Sequence, residues 1–258
     1  KITVVDNCDC EDLPPLPAIA ATCNNQDFIT LVAPNGYTGT WTIKSKPAGT
    51  NPATISGTLL DVKDKDAGTY LLRFKFANIP SDCPDSGFVS FVLSDYKSAG
   101  IAGPEQNYCE KTQKIIDLWD EITGEDVGGI WTEVGPNTAG TALVGTILTI
   151  QKLKPGNYIF QYKHNADGAC PAQVAEVVIT VNPNPIADAG QSIQLTCEQA
   201  EATIGGSTSS SGSNIAYLWT EKNNNPIPNP KDLINIVKLE GTYYLTVSNT
   251  ITGCSSID

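Results

Sequence analysis

The sequence has very few of the residues on which nucleic-acid binding, metal binding and general-base catalysis most often depend. It contains one histidine, one arginine (Arg73) and no methionine among its 258 residues. The 28 acidic residues outnumber the 16 basic ones, which gives a net charge of −12. Because binding to nucleic acid requires clustered lysine and arginine side chains, this balance predicts no nucleic-acid partner. No apolar run is long enough for a membrane span, so none is predicted.

Catalysis has little support in the sequence. The single histidine, His164, lies in the segment "YKHNADGAC", which we interpret as a turn between strands. No serine or cysteine motif accompanies it that would make it a general base. We therefore expect His164 to be a solvated loop residue, and we expect the chain not to be an enzyme.

Two groups of carboxylates carry the oxygen ligands that Ca²⁺ prefers. Neither group follows the spacing of an EF-hand loop, and a solvated acidic surface is the simpler interpretation. We therefore expect no cofactor, with Ca²⁺ as the weaker alternative. The two groups are Asp61, Asp64 and Asp66, and Asp117, Asp120, Glu121, Glu125 and Asp126.

What the sequence does contain is a threefold internal repeat. The order Cys, Trp, Gly-x-Tyr, Cys occurs three times, and successive tryptophans of this series are 90 and 88 residues apart. An order of four landmarks that is kept three times indicates three homologous units. The landmarks are Cys23, Trp41, Gly68–Tyr70 and Cys83; Cys109, Trp131, Gly156–Tyr158 and Cys170; and Cys197, Trp219, Gly241–Tyr243 and Cys254.

Each repeat is predicted to be a β-sandwich. After each Gly-x-Tyr the side chains alternate with a period of two; in the first repeat Tyr70, Leu72 and Phe74 alternate with Arg73 and Lys75. Turns rich in proline and glycine separate short strands, and the best helical segment, "KTQKIIDLWDEITGED", is at most a short turn. About 86 residues per repeat suit a seven-stranded sandwich of immunoglobulin type. The predicted fold is all-β, a rod-like tandem array of three such domains.

The repeated aromatic residues fit the core of such a domain. A tryptophan on a central strand fills the space between the two sheets. A tyrosine directly after a turn can return its hydroxyl to the upstream backbone, which is the tyrosine-corner arrangement. The predicted core residues are Trp41, Trp131, Trp219, Tyr70, Tyr158 and Tyr243.

The eight cysteines predict disulfides and hence an oxidising compartment. Matched cysteines recur 57 to 61 residues apart inside each repeat, which predicts one bridge per repeat. Zinc is disfavoured because the chain lacks Cys-x2-Cys pairs and has one histidine. The predicted bridges are Cys23–Cys83, Cys109–Cys170 and Cys197–Cys254, with Cys8 and Cys10 left over as a further pair.

The two ends of the chain complement each other in sequence. A polar turn and a final strand follow Cys83 and Cys170, whereas Cys254 is followed by "SSID" alone. The opening "KITVVDN" has the pattern of that final strand. We therefore expect the strand Ile2–Val5, through Ile2, Val4 and Val5, to complete the third domain of a neighbouring copy. Two routes remain open: a longer polypeptide that repeats this block, or insertion of the strand by a neighbouring subunit.

These patterns predict a period of 258 residues and four segments. Residues 1–7 are the final strand of a neighbouring repeat, residues 8–97 the first domain, residues 98–183 the second, and residues 184–258 the third without its last strand. Short proline-bearing segments at residues 11–17, 98–104 and 182–190 are predicted to be semi-rigid spacers.

The third repeat also carries a family resemblance. Its stretches "PIADAGQSIQLTCEQAEATIGGSTSSSGSNIAYLWT" and "LEGTYYLTVSNTITGC" resemble the PKD/immunoglobulin-like repeats of giant bacterial surface adhesins. Those repeats carry an Ala-x-Ala-Gly entry, a Gly-Ser-rich turn, a Tyr-x-Trp strand and a Gly-Thr-Tyr-x-Leu-x-Val strand. The match covers Pro185–Cys254 and is looser over the first two repeats. The resemblance implies a protein that gliding bacteria export by type IX secretion and that acts in adhesion or as a surface filament.

Three functional interpretations follow. The first is a structural repeat segment of a cell-surface filament or giant adhesin, used in attachment or cell capture. Its partners would be other copies of the same repeat, end to end and laterally. The alternatives are a ligand- or carbohydrate-binding module of a secreted protein and an accessory region of a secreted hydrolase. Three similar domains without a predicted exposed aromatic cluster favour the first.

Overall fold

The computed structural model describes residues 10–223 and 227–258. The predicted strand Ile2–Val5 and Cys8 lie outside the described residues. Within the described part the regular structure is almost entirely β, with three short 3-10 helices. No helix there is long and apolar enough to cross a membrane.

The first repeat forms two sheets around one apolar core. One sheet has the strand order β1-β7-β6-β3 and the other β2-β5-β4. Strand β1 runs parallel to β7, whereas the other described neighbours in these sheets are antiparallel. This is the arrangement of an immunoglobulin-like sandwich. The strands are β1 Thr22–Cys23, β2 Phe28–Thr30, β3 Gly39–Ser45, β4 Thr54–Ser56, β5 Leu59–Asp61, β6 Gly68–Phe76 and β7 Ser86–Ser94.

The second repeat forms the same two sheets and adds a short ribbon. Its larger sheet has the order β12-β15-β16-β9, its smaller sheet β10-β14-β13, and β8 pairs with β11. Three 3-10 helices connect these strands: Leu118–Glu121, Gly140–Ala142 and Ile150–Lys152. The first is the only helix in the segment "KTQKIIDLWDEITGED", which confirms that this segment forms at most a short turn. The strands are β8 Ala99–Ala102, β9 Gln106–Cys109, β10 Ile115–Asp117, β11 Ile122–Glu125, β12 Ile130–Glu133, β13 Leu143–Val144, β14 Ile147–Thr149, β15 Gly156–His164 and β16 Gln173–Asn182.

The third repeat has smaller sheets than the other two. One sheet has the order β18-β20-β21, and the other consists of β17 and β19. Its last strand has three residues, whereas β7 has nine and β16 has ten. The strands are β17 Ala202–Ile204, β18 Ile215–Glu221, β19 Asn235–Val237, β20 Tyr243–Asn249 and β21 Ser255–Ile257. Every described sheet lies within one repeat, so the chain is an all-β tandem array of immunoglobulin-like sandwiches.

The chain divides into two compact units, whose limits differ from those of the sequence repeats. The first unit comprises the chain up to Ala99 together with Glu125–Gly129 and Lys163–Val174. The second unit comprises Gly100–Gly124, Ile130–Tyr162 and Ala175–Asp258. The hairpin tip of the second repeat therefore belongs to the same compact unit as the first repeat. The domain boundaries deduced from the sequence repeats stay a prediction.

The predicted alternation of β6 and β15 is confirmed. In β6 the residues Tyr70, Leu72, Phe74 and Phe76 are buried, and the residues between them are partly or fully exposed. The equivalent strand β15 has the same burial pattern along its length. A two-residue period therefore directs one face of each strand into its core.

The segments predicted to be spacers differ from free linkers. Leu13 and Leu16 pack against the core of the first repeat. Ala99–Ala102 is strand β8, and the backbone N–H of Asn184 donates to the Glu110 carboxylate at 3.3 Å. These segments contain apolar side chains and backbone donors whose exposure or lack of pairing is costly, which explains why they dock.

Candidate functional site

The cysteines of a repeat lie at opposite ends of its last strand. Cys23, at the end of β1, pairs in register with Ser94, the last residue of β7. Cys83 lies in the turn that precedes the first residue of β7, Ser86. Nine residues of strand at ~3.3 Å each separate the two ends by roughly 30 Å. A disulfide requires Cα atoms within about 7 Å, so Cys23 cannot reach Cys83.

The predicted pairing of cysteines inside each repeat is therefore wrong. The structure forms bridges between Cys10 and Cys83, between Cys23 and Cys170, and between Cys109 and Cys254. The spacing of the cysteines along the sequence could not reveal these partners. It does not show that β1 runs parallel to β7 and that β9 runs parallel to β16. The parallel register carries the first cysteine to the far end of that strand.

Two of the bridges join neighbouring repeats. Cys23 of the first repeat binds Cys170 in the hairpin tip of the second. Cys109 of the second repeat binds Cys254 in the turn of the third. Their Cα atoms lie 4.7 and 5.5 Å apart, inside the range of ordinary disulfides. Such bridges are typical of proteins in oxidising compartments.

Hydrogen bonds surround the bridge between Cys23 and Cys170. The backbone N–H of Ala169 donates to the Ser94 hydroxyl at 2.8 Å. Gly168 has a φ of +53°, and a side chain there would collide with Ser94. The hairpin tip therefore requires glycine at this position to approach the end of β7.

The buried Asn24 organises the same region. Its amide donates to the Lys65 carbonyl at 3.0 Å, and its amide oxygen accepts from the backbone N–H of Tyr96 at 2.8 Å. The Tyr96 hydroxyl lies 3.1 Å from the Gln173 side-chain oxygen. Buried polar groups are stabilising when they are paired in this way. Nothing in the sequence pattern marks Asn24 for this role.

Cys10 and Cys197 differ from the other cysteines. Cys10, which the sequence leaves beside Cys8, instead binds Cys83. Cys197 has no disulfide partner among the described residues, and its side chain is exposed. By sequence it occupies the position of Cys23 and Cys109, both of which bridge to the following repeat.

The core aromatic residues take similar positions in the three repeats but differ in burial. Trp41 and Trp219 are buried, whereas Trp131 is partly exposed and contacts Trp119 edge to face. The sequence repeat does not single out Trp119. The indole N–H of Trp219 donates to the Asp232 carbonyl at 3.0 Å, which ties β18 to the loop before β19.

Each landmark tyrosine closes a turn through its hydroxyl. Tyr70 donates to the Asp66 carbonyl at 2.7 Å, and Tyr158 donates to the Lys154 carbonyl at 2.9 Å. Tyr243 donates in the same way to the carbonyl four residues upstream, at 2.8 Å. Burial raises the pKa of Tyr70 and of Tyr243 above the ordinary value. The hydroxyls of Tyr70 and Tyr243 therefore stay protonated and act as donors across the physiological pH range.

The candidate calcium ligands do not come together. No group of three or more metal-ligating side chains occurs among the described residues. Asp66 accepts from the backbone N–H of Asn51, and Asp117 accepts from that of Trp119. Asp126 accepts from the backbone N–H of Ser98. These carboxylates stabilise turns and strand ends.

His164 differs from the prediction of a solvated loop residue. It is the last residue of β15 and is buried, and its Nε2 lies 2.9 Å from the Asp126 carbonyl oxygen. The sequence placed His164 in the turn after the strand, but β15 continues to His164 itself. The geometry makes His164 part of the packing of the first unit.

The entry of the third repeat depends on Asp188. Its carboxylate accepts from the Thr208 hydroxyl at 2.5 Å and from the backbone N–H of Gly190 at 3.0 Å. Together with the backbone N–H of Thr208, these bonds hold the pKa of Asp188 below the ordinary value. A side chain at Gly206 would occupy the place of this carboxylate. The Ala-x-Ala-Gly segment and the glycine-rich turn, two motifs of the family that the third repeat resembles, therefore contact each other through Asp188 and Gly206.

A groove lies beside the core of the third repeat. It has a volume of about 570 Å³, and Ile193, Leu195, Trp219 and Tyr243 are among its lining residues. In the first two repeats the landmark tyrosine is fully buried, whereas Tyr243 is only half-buried. Gln191, Gln194 and Thr242 also line this groove, so its surface is mixed, and a groove of similar volume, about 560 Å³, lies beside Trp41 in the first repeat.

Two segments of backbone lie beside the groove. The ladder between β20 and β21 includes the mutual hydrogen bonds of Leu245 with Asp258, at 2.8 and 3.0 Å. Residues 191–197, which correspond by sequence to β1 and β9, form no strand.

Comparisons with known proteins give a fold likeness only. No protein-family model and no curated protein matches the chain. A three-domain immunoglobulin fragment of titin aligns over 94% of this chain and 94% of its own length, at 11% identity and a TM-score of 0.35. Drosophila N-cadherin EC1-4 covers 94% of this chain and 72% of its own length, at 14% identity and a TM-score of 0.29. At these TM-scores neither likeness carries an argument about function.

Proposed function

We propose that the chain is a structural repeat segment of an extracellular surface filament or giant adhesin, which acts as a load-bearing array in attachment or cell capture. The observation that supports this most is the set of disulfides between neighbouring repeats. The resemblance of the third repeat adds the expectation of type IX export to the cell surface. Other copies of the same chain are the expected partners. No specific observation in the described residues favours the alternative of a carbohydrate-binding module.

The disulfides shorten the stretch of backbone that carries tension when the chain is pulled from its two ends. Force applied at the two ends passes from Cys10 to Cys83, along residues 83–109, and from Cys109 to Cys254. The long loops between the bonded cysteines lie outside this path. The bridge between Cys23 and Cys170 links the two loops to each other. Between Cys10 and Cys254, only three of the described strands, β7 to β9, can be extended while the disulfides are intact.

Single-molecule stretching of the full chain tests this proposal. Residues 83–109 extend to about 90 Å, so the oxidised chain should give no longer extension between Cys10 and Cys254. After reduction the same span should reach about 850 Å. The Cys109→Ser/Cys254→Ser variant is the matched control and should lengthen the oxidised extension several-fold. Release of whole repeats, about 300 Å each, from the oxidised wild-type chain would contradict a load-bearing role.

A further inference from the structure

The landmark tryptophan of the first repeat lies on a sheet edge that no other described strand covers. Strand β3 is the last in the order β1-β7-β6-β3, and Trp41 lies opposite Phe74 of β6. The backbone N–H of Ala77 donates to the Thr38 carbonyl at 2.8 Å, and residues that bond to a neighbour alternate along an antiparallel strand. Counted from Thr38, the backbone N–H of Trp41 therefore points away from β6, towards the free edge.

The indole of Trp41 also lacks an acceptor. The residue is 7% exposed, and its indole nitrogen is buried without a hydrogen-bond partner among the described residues. Trp131 of the second repeat also lacks an acceptor there, and the Trp119 ring packs edge to face against it. Because a buried N–H group without an acceptor is costly and rare, the edge at Trp41 has a place for acceptor groups.

The third repeat shows how such an edge is filled. Its equivalent residue, Trp219 on β18, donates through its backbone N–H to the Pro230 carbonyl at 2.7 Å. The indole N–H of the same residue donates to the Asp232 carbonyl at 3.0 Å. Two backbone carbonyls of one segment, two residues apart, thus satisfy both N–H groups of the tryptophan. In the described part of the first repeat no segment does this for Trp41.

The groove beside Trp41 is locally cationic in an acidic chain. It lies between β3 and β4, has a volume of about 560 Å³, and includes Lys44, Lys46 and Ile55 among its lining residues. Both lysines are exposed, and neither forms an ion pair within the described residues. No acidic residue occurs between positions 28 and 60, although the chain has 28 of them. This charge is complementary to carboxylates.

We propose that the groove between β3 and β4 of the first repeat is a docking site for an extended acidic segment of a partner protein, which adds as a strand to β3. Two of its backbone carbonyls accept from the backbone and indole N–H groups of Trp41, as Pro230 and Asp232 do for Trp219. Its carboxylates lie near Lys44 and Lys46. The site goes beyond the proposed load-bearing role and does not depend on it.

A synthetic peptide of alternating glutamate and valine tests the site on the full chain. Calorimetry should show one peptide bound per chain, and a peptide of alternating lysine and valine should not bind. The Lys44→Glu/Lys46→Glu variant should bind at least about 10-fold more weakly, because attraction becomes repulsion. The Lys152→Glu/Lys154→Glu variant is the matched control, since these exposed lysines have the same spacing in the second repeat, and it should bind like the wild type. Equal losses in the two variants, or no binding by the wild-type chain, would overturn the proposal.

Indole N–H signals in NMR spectra report on the acceptor. The Trp41 signal, identified by its loss in Trp41→Phe, should move downfield when the acidic peptide binds, because its N–H gains a hydrogen bond. The Trp219 signal should stay, because that N–H already donates to Asp232. The same peptide with every amide nitrogen methylated cannot donate to the β3 edge and should bind at least about 10-fold more weakly. Binding without movement of the Trp41 signal, or equal binding of the methylated peptide, would show that no strand is added at this edge.

Discussion

The second and third repeats contain the same landmarks but complete their sheets differently. In the second repeat the ten-residue β16 lies between β15 and β9, and the landmark residue Tyr158 is buried. In the third repeat the three-residue β21 lies at the edge of its sheet, and Tyr243 is half-buried. The local pattern around tryptophan and tyrosine is therefore sufficient to build a sandwich.

Deleting the same core side chain in a closed and an open repeat should give unequal losses. Leu72 and Leu245 each lie two residues after the landmark tyrosine, and both are fully buried. We expect Leu72→Ala to cost about 3–4 kcal/mol and Leu245→Ala about 2 kcal/mol, because the groove lets its surroundings relax into the cavity. Denaturant unfolding of each variant, followed by hydrogen exchange in its own repeat, measures both. A larger loss at Leu245 would contradict an open core.

The sequence predicts the sandwiches well and their connections poorly. Alternation in β6 and β15 depends on local side chains, and the structure confirms it. The disulfide partners depend on the parallel strands β1 and β9, which only long-range pairing can establish. His164 shows the same limit, because it is buried and its ring nitrogen Nε2 contacts a carbonyl 38 residues away in the sequence. Strand alternation depends on residues that are close in sequence and could be predicted. Disulfide partners and the burial of His164 depend on contacts between distant segments and could not.

Removing one hydroxyl should distinguish the two tyrosine corners. Tyr70 donates to the Asp66 carbonyl and accepts from the backbone N–H of Ala53 at 3.1 Å, all in a buried setting. We expect Tyr70→Phe to destabilise by about 2 kcal/mol, because it leaves two backbone groups unpaired. Tyr243→Phe should cost under about 1 kcal/mol, because its carbonyl partner can bind water. Thermal unfolding of both variants checks this. Equal losses would mean that Tyr243 is as enclosed as Tyr70.

The smallest effect concerns two aspartates whose pKa values are lowered by different means. For Asp85 in the first repeat the largest cause is the Ser86 hydroxyl, and the charges of Lys75 and Arg73 add to it. For Asp188 in the third repeat the causes are uncharged donors, first the Thr208 hydroxyl and then backbone N–H groups. Because both pKa values are lower in the folded chain, both groups stabilise it above the ordinary aspartate pKa, and this contribution disappears as the pH falls through the folded value.

Salt should separate the two aspartates. Screening weakens the contribution of Lys75 and Arg73, so the pKa of Asp85 should rise towards the ordinary value between low and high ionic strength. The pKa of Asp188 should change little, because neutral hydrogen bonds are not screened in this way. Carboxyl carbon NMR titrations of the full chain at two salt concentrations measure both, and Thr208→Val is the control that should raise the pKa of Asp188 alone. An equal salt response of the two carboxylates would show that charge also controls the entry of the third repeat.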